Sequence, residues 1–209
     1  MAQPSLAFAE LAAATNFSFL EGASHPDEMV TQAAALGLPA LGVADRNTLA
    51  GVVRAHAAAK QHGLKLLVGA RIAPTDGPEV VIYPQDRAAY GRLCTLLTTG
   101  KRRTEKGQCE LQLADLEAHA EGLIALVAPG EAAEPDGIFT DHLHRLAASF
   151  GDRCYLLAPV RLDGADHLRL AKLAALSRQA GAPLVATTEP LLHARSRKPL
   201  ADVLACIRE

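Results

Sequence analysis

The hydrophobic positions of the chain fall into short apolar runs that alternate with alanine-rich stretches of helical spacing. The run "PALGVAD" predicts a buried strand, whereas residues 29–36, closed by Gly37, predict a helix that ends at glycine. The same alternation continues along the chain. Strands are predicted at 6–14, 39–45, 64–70, 79–84, 122–128, 154–160 and 183–189, and helices at 29–36, 48–62, 86–98, 114–119, 142–150, 163–180 and 199–207.

This order of elements predicts an α/β fold with a largely parallel sheet, either closed into a barrel or open and doubly wound. Pro74, Asp76, Gly77 and Pro78 form a turn that predicts a hairpin between the third and fourth strands. No strand is followed by GxGxxG or GxxxxGK[ST], so nucleotide binding of those two kinds is disfavoured.

Composition narrows the class of protein. A chain of 209 residues that is 49% hydrophobic fits one domain with a substantial core, and its formal charge of −2 gives no overall attraction to nucleic acid or to an anionic membrane. The four cysteines form no CxxC pair. No secretory signal and no apolar stretch of bilayer length is evident, so we expect a soluble, cytoplasmic domain.

Polar residues at the predicted carboxyl ends of the strands are the candidates for chemistry, because sites of α/β folds lie there. A metal site would need several histidines and carboxylates at one point, and arginine cannot serve as a ligand. The polar residues at the strand ends therefore favour ion pairs over a metal site. They comprise three acids, two arginines and one histidine: Asp45, Glu79, Glu189, Arg46, Arg71 and His193.

The first strand end is unusual because it carries no such residue. Ala12 and Ala14 stand where a ligand is expected, and the following residues, Thr15 and Asn16, neither bind metals strongly nor move protons. Downstream, Ser24-x-x-Asp27 with an intervening proline predicts a helix start.

Two basic clusters are candidates for contact with phosphate or an acidic partner. Residues 101–103 lie in a predicted surface loop (100–108), and Arg195, Arg197 and Lys198 precede the last helix. A solvated surface is the alternative interpretation of both. The acidic segment 129–137, rich in proline and glycine, is predicted to be a mobile loop.

Several segments together resemble the N-terminal PHP (polymerase and histidinol phosphatase) domain of bacterial C-family DNA polymerases, in particular the error-prone, DnaE-type branch. The resemblance covers nearly the whole chain and implies a distorted TIM-like barrel of about seven β/α units. The segments that carry it are "TNFSFLEGASHPDEMV", "ALGLPALGVADRNTLAGVVRAH", "GLKLLVGARI", "YPQDRAAYGRLCTLLTTGKRR", "EGLIALVA" and "GAPLVATTEPLLHARSRKPLADVLACIR".

The resemblance implies that most metal ligands of the family are missing. The first family motif, His-x-His, falls on Ala12 and Ala14, and the Asp-His pair falls on Asp45 and Arg46. The glutamate after the third strand becomes Arg71, and the next histidine becomes Glu79. A family cysteine falls near Pro129. The closing Asp-x-His falls on Glu189 and Leu191, with His193 two positions later.

These departures predict a catalytically inactive domain with a degenerate metal site and a structural or partner-docking role. No cofactor is expected for the domain itself, Mg is expected for the parent polymerase, and the partners are the polymerase core, DNA through the parent protein, and other mutagenesis proteins. In the alternative, a remodelled phosphoesterase or 3′-5′ exonuclease, Asp45, Glu189 and His193 would hold Zn or Mn. Residues 1–209 are expected to form one domain of a longer polymerase.

Overall fold

The computed structural model describes residues 7–130 and 137–209. Seven strands form a mixed sheet whose order, β1 to β7, is their order in the chain. The segment that was predicted to be a mobile loop, 129–137, lies mostly outside the described residues. None of the helices within 7–130 and 137–209 has the length and apolarity needed to cross a bilayer.

Contacts divide the described chain into two compact units. Unit 1 comprises the residues up to Val68 together with Glu189–Glu209, and unit 2 comprises Gly69–Thr188. The elements of unit 1 are β1 (Glu10–Ala13), α1 (Pro26–Ala35), β2 (Ala40–Arg46), α2 (Val52–His62), the first half of β3 (Lys65–Ile72), and α7 (Lys198–Arg208).

The core of unit 1 lies between the β1–β2 pair and the helices α1 and α2. The two strands are parallel, with Glu10 opposite Leu41 and Ala13 opposite Val43. Alanines at helical spacing let α1 and α2 approach each other closely, because a methyl group takes little room. The buried cluster consists of Ala13, Met29, Val30, Ala33, Leu41, Val43, Ala55, Ala58 and Ala59.

Unit 2 contains the predicted hairpin. The second half of β3 and β4 are antiparallel, with Arg71 opposite Val81, and β4 also pairs antiparallel with β5, whereas β5, β6 and β7 are parallel. The elements that complete this unit are β4 (Val80–Pro84), α3 (Arg87–Arg102), α4 (Leu113–Ala118), β5 (Leu123–Val127), α5 (Gly137–Phe150), β6 (Cys154–Pro159), α6 (Asp166–Ala180) and β7 (Leu184–Thr187).

Several predicted boundaries were wrong. Helix α5 begins at Gly137, five residues before its predicted start, and helix α1 begins at Pro26, three residues before its own. Helix α3 continues through Gly100 to Arg102. Gly100 stands inside the helix because Cys109 and Leu111 pack against it at a distance that a side chain would not allow. Helix α2 begins at Val52, four residues after the predicted start. Helix α6 begins at Asp166, three residues after the predicted start; Leu173 and Leu176 on it are buried, whereas Leu168 is 61% exposed.

Candidate functional site

The candidate site of unit 1 lies where β1 and β2 end. Ala12 lies in β1 and Ala14 follows it, and both side chains are buried. Asp45 lies near the end of the adjacent parallel strand β2 and is only 2% exposed. A buried carboxylate is costly unless hydrogen bonds or an opposite charge compensate for its lost hydration. The partners of Asp45 therefore decide what this site can do.

Three donors from the loop after β1 point at the Asp45 carboxylate. The Thr15 N–H donates to Oδ1 at 2.6 Å, and the Ser18 hydroxyl donates to the same oxygen at 2.9 Å. The Thr15 hydroxyl lies 2.8 Å from Oδ2 and 3.0 Å from Oδ1. Both hydroxyl oxygens accept in turn from backbone N–H groups, those of Phe17 and Arg46.

These backbone donors fix the direction of the hydroxyls. A hydroxyl that accepts from an N–H group has its single proton available for another acceptor, and here that acceptor is the carboxylate. Burial raises the pKa of Asp45 above its ordinary value, and the hydrogen bonds from Thr15 and Ser18 offset part of this rise. The loop residues thus supply the hydrogen bonds that this buried carboxylate needs.

Two glycines make this arrangement sterically tight. A Cβ built on Gly22 would lie 2.0 Å from the Thr15 carbonyl oxygen. A Cβ on Gly51 would lie 2.7 Å from Asp45 Oδ2, with Phe17 and Pro26 also within contact distance. The backbone therefore closes around the carboxylate at positions where only glycine fits.

Arg46, the residue after Asp45, extends away from the core. Its guanidinium pairs with Glu21 at 3.0 Å and its side chain is 43% exposed. Glu21 was not among the partners predicted for this arginine. The Glu21 side chain is 17% exposed, and the pair connects the end of β2 to the loop that also carries Thr15 and Ser18.

His193 and Glu189 belong to a segment that hydrogen bonds fasten to the loops of unit 1. The Pro190 and Leu191 carbonyls accept from Ala14 N–H at 3.1 Å and Ala23 N–H at 2.7 Å. Glu189 has a left-handed backbone, with φ 45°, a conformation that side chains other than glycine and asparagine rarely adopt.

Ser24 holds His193 in place. The Ser24 hydroxyl accepts from the His193 backbone N–H at 2.9 Å and lies at hydrogen-bond distance, 2.8 Å, from the ring Nδ1. Ser24 was predicted to begin helix α1, but His25 occupies that position, and the His25 N–H donates to Glu28 at 2.8 Å. The Nδ1 atom of His193 therefore already has a hydrogen-bond partner.

The basic segment 195–198 is largely neutralised within unit 1. Arg197 forms an ion pair with Glu28, and Lys198 pairs with Asp202 one helical turn away at 2.6 Å. Arg195 is exposed. The predicted role of these cations in contacting nucleic acid or a partner is not tested by these contacts and stays a prediction.

In unit 2 the two remaining candidate residues pair with each other. Arg71 of β3 lies 3.2 Å from Glu79, just before β4, and the arginine side chain is 12% exposed. The hairpin brings them together, since Arg71 is opposite Val81. An ion pair was predicted among the two arginines and three acids of the strand ends, and Arg71 and Glu79 form one.

The donor chemistry does not fit a multinuclear metal site. The methyl groups of Ala12 and Ala14 cannot ligate, three of the roughly four lone-pair positions of the Asp45 carboxylate already accept hydrogen bonds, and Nδ1 of His193 lies at hydrogen-bond distance from Ser24. Within residues 7–130 and 137–209, no group of three or more histidines, cysteines or acids is close enough to hold a metal ion.

The sequence comparisons agree on one family. The sequence model of the PHP domain matches residues 10–156. An error-prone DNA polymerase of Caulobacter vibrioides is 48% identical over 203 residues, and an error-prone DNA polymerase 1 of Agrobacterium fabrum is 46% identical over 201. These alignments cover 97% and 96% of the chain but only 19% and 18% of the relatives, so the chain spans about a fifth of their length.

Solved structures show the same fold at low sequence identity. A protein of Bifidobacterium adolescentis assigned as a metal-dependent phosphoesterase superposes with a TM-score of 0.68 at 16% identity, covering 92% of this chain and 90% of that one. A lesion-specific endonuclease of Pyrococcus furiosus gives 0.54 at 11% identity, covering 88% of this chain and 48% of that one. These likenesses, together with the strand order, confirm the predicted α/β fold class.

Proposed function

Because the chain belongs to the PHP domain family, we propose that it is the N-terminal PHP domain of a bacterial error-prone DNA polymerase and that it hydrolyses no phosphoester itself. In this proposal the domain supports the polymerase core of the same protein during synthesis across damaged DNA. It acts in the cytoplasm and meets DNA through the parent protein, and other mutagenesis proteins are candidate partners. The parent polymerase uses Mg, and this domain binds no metal.

The hydrogen-bonded Asp45 carboxylate is the observation that supports inactivity. Metal-dependent phosphoryl transfer needs carboxylates with free lone pairs and several further ligands around each ion. Asp45 instead accepts from Thr15 and Ser18, which the loop holds in fixed orientations. Displacing them would leave two buried hydroxyls and an N–H group without their acceptor, at a cost of about 1–3 kcal/mol for each.

Metal content and hydrolysis test this proposal on the same purified protein. We expect less than one Zn, Mn or Fe per chain by elemental analysis, and no Mn-dependent hydrolysis of bis(4-nitrophenyl) phosphate or of a labelled DNA 3′ end. The melting temperature should be the same with and without a chelator. Asp45→Asn is the matched control, because it removes the one family ligand that is retained without changing the shape of the side chain.

A remodelled phosphoesterase or 3′-5′ exonuclease is the competing function, and it retains Asp45, Glu189 and His193 as candidate ligands for Zn or Mn. Two or more tightly held ions per chain, with hydrolysis that Asp45→Asn abolishes, would establish that function and refute ours. Hydrolysis that persists in Asp45→Asn would indicate a contaminating enzyme.

A further inference from the structure

Helix α3 and the residues after it carry an unusual concentration of positive charge. Residues 87–106 contain six lysines and arginines and a single acid, Glu105, although the whole chain has a formal charge of −2. Arg87 lies in the first turn of α3, where the helix dipole disfavours a cation, and that turn has no acidic residue. Helix stability therefore does not explain why a cation stands at this position.

The cations lie on the exposed face of the helix. Its opposite face is buried through Ala89, Leu93, Leu96, Leu97 and Gly100. At 100° per residue, Arg87, Thr98, Lys101 and Arg102 project within about 60° of Arg87. From Arg87 to Arg102 the helix rises about 22 Å, which equals the axial rise of about six base pairs.

Neighbouring acids do not neutralise this face. Asp86 caps the helix by accepting from the Ala89 N–H at 2.7 Å, and Asp115 binds Arg103 at 2.5 Å. Glu121 lies 3.8 Å from Arg92. In the part of the chain that the structure describes, Arg87, Lys101 and Arg102 form no ion pair.

A groove runs along the same face, lined by Cys94, Thr95, Thr98, Thr99, Arg102 and Arg103. The hydroxyls of Thr95 and Thr98 already donate to the helix carbonyls of Gly91 and Cys94, at 3.0 Å and 2.7 Å. The threonines therefore offer an uncharged floor, while Arg102 at one end of the groove and Arg87, farther toward the start of the same helix, supply the positive charge. A protein partner would favour an apolar centre with aromatic or large aliphatic residues, and this floor has none.

We propose that the exposed face of α3, from Arg87 to Arg102, binds the phosphate backbone of DNA without reading its sequence. The choice of DNA among polyanions rests on the proposed function, whereas the location of the surface rests on charge and geometry alone. Arg87, Lys101 and Arg102 neutralise phosphates, and Tyr90, 38% exposed on the adjacent side of the helix, can pack against a sugar or a base.

Fluorescence anisotropy with a labelled 20-nucleotide single strand and the matching duplex tests the proposal on the 209-residue chain. The triple variant Arg87→Gln/Lys101→Gln/Arg102→Gln should bind about tenfold more weakly or worse at 50 mM salt. Its plot of log affinity against log salt should be less steep by about 2, because each lost phosphate contact removes about 0.7–0.9 from the slope. Thr98→Glu should also weaken binding by placing a negative charge in the groove.

A matched control removes the same charge elsewhere: Lys60→Gln/Arg178→Gln/Arg208→Gln changes three exposed cations on other helices. It should keep most of the affinity, and both triple variants should melt as the unaltered chain does. No DNA binding by the unaltered chain at 50 mM salt, equal loss in both triple variants, or tighter binding to polyglutamate than to DNA would each overturn the inference. None of these results depends on metal content or hydrolysis, so this proposal and the proposed function fail separately.

Discussion

At the scale of single residues, the direction of two hydroxyl protons defines the character of the Asp45 site. Phe17 and Arg46 donate their N–H groups to the Thr15 and Ser18 hydroxyls, which therefore donate to the carboxylate. A buried network in which every member is satisfied is rigid, and loss of one member leaves its partners unpaired. The contribution of each residue to stability is therefore measurable.

Ser18→Ala should lower the free energy of unfolding by about 2 kcal/mol, because it removes a hydrogen bond to a buried carboxylate and deprives the Arg46 N–H of its acceptor. Urea unfolding followed by circular dichroism measures this. Thr95→Ala, which removes an exposed hydroxyl of the same kind, should change stability by less than about 0.5 kcal/mol. A Ser18→Ala variant as stable as the Thr95→Ala variant would show that the network does not hold the carboxylate.

Gly22→Ala should destabilise the chain by about 3 kcal/mol or more, since the new methyl group would overlap the Thr15 carbonyl and displace the loop that serves Asp45. Gly37 provides the comparison. Its φ is 70° and nothing lies within 4 Å of its Cβ position, so Gly37→Ala should cost only about 1 kcal/mol, from backbone strain alone. Similar melting temperatures for the two variants would contradict the predicted overlap.

The sequence predicted where the residues of this site lie along the strands, but not which contacts they make. Asp45 and the two alanines were assigned to neighbouring strand ends, which follows from the hydrophobic pattern. Thr15 was noted only as a strand-end residue, and Ser18 was assigned no role. Their role depends on the path of the loop, which Gly22 constrains through a backbone contact that no side-chain pattern reveals.

At the scale of elements, the segment from Glu189 to Arg197 is fastened to the start of α1. Ser24 binds His193, and Glu28 binds both the His25 N–H and Arg197. Partial burial raises the pKa of Glu28, but these hydrogen bonds and the charge of Arg197 outweigh that effect and hold the pKa below its ordinary value. The attachment of this segment should therefore depend on pH.

Glu28→Gln should lower stability at pH 7 by about 1 kcal/mol or less, as expected for a partly exposed ion pair. A carboxylate with a depressed pKa in the folded state stabilises the fold above its unfolded pKa and loses that contribution as the pH falls through the folded pKa. The difference between the variant and the unaltered chain should thus shrink below about pH 4.5. Thermal melts from pH 3 to 7 measure it, and a constant or growing difference would contradict the depressed pKa.

The helices and strands were predictable where the hydrophobic period and the capping residues indicate the same boundaries. The seven strands and the glycine ends of α2 and α6, at Gly63 and Gly181, followed from the sequence. The extension of α3 past Gly100 did not, because an isolated glycine normally suggests a helix end, whereas here it makes room for Cys109 and Leu111.

At the scale of the whole molecule, the two units carry cysteines of opposite accessibility. Cys154, in β6 of unit 2, is fully buried, and burial raises its pKa to about 11. Cys206, in α7 of unit 1, is exposed. The thiolate is the reactive form, so both burial and the raised pKa protect Cys154 from modification.

With Cys94 and Cys109 replaced by serine, a disulfide reagent at pH 8 should modify Cys206 quickly and Cys154 at a rate set by opening of the structure around β6. Mass spectrometry over time separates the two. Addition of urea should accelerate only the Cys154 reaction. Equal rates without denaturant would show that β6 is not protected.

The fold class was the easiest property to predict, because alternating strands and helices specify an α/β fold before any residue is assigned a role. The antiparallel placement of β4 between β3 and β5 was only half predicted, through the proline- and glycine-rich hairpin turn. Its second pairing, with β5, is a long-range contact that carries no local sequence signal.

The hydrogen bonds that Thr15 and Ser18 donate to Asp45 have a consequence for how much of the protein is correctly folded in the cell. A protein whose buried carboxylate needs a transition metal competes for that metal at the moment of folding, and its active fraction follows the nutritional state of the cell. Thr15 and Ser18 are encoded in the chain, so their contribution to this carboxylate is present in every newly made copy, under zinc starvation as well as in rich medium.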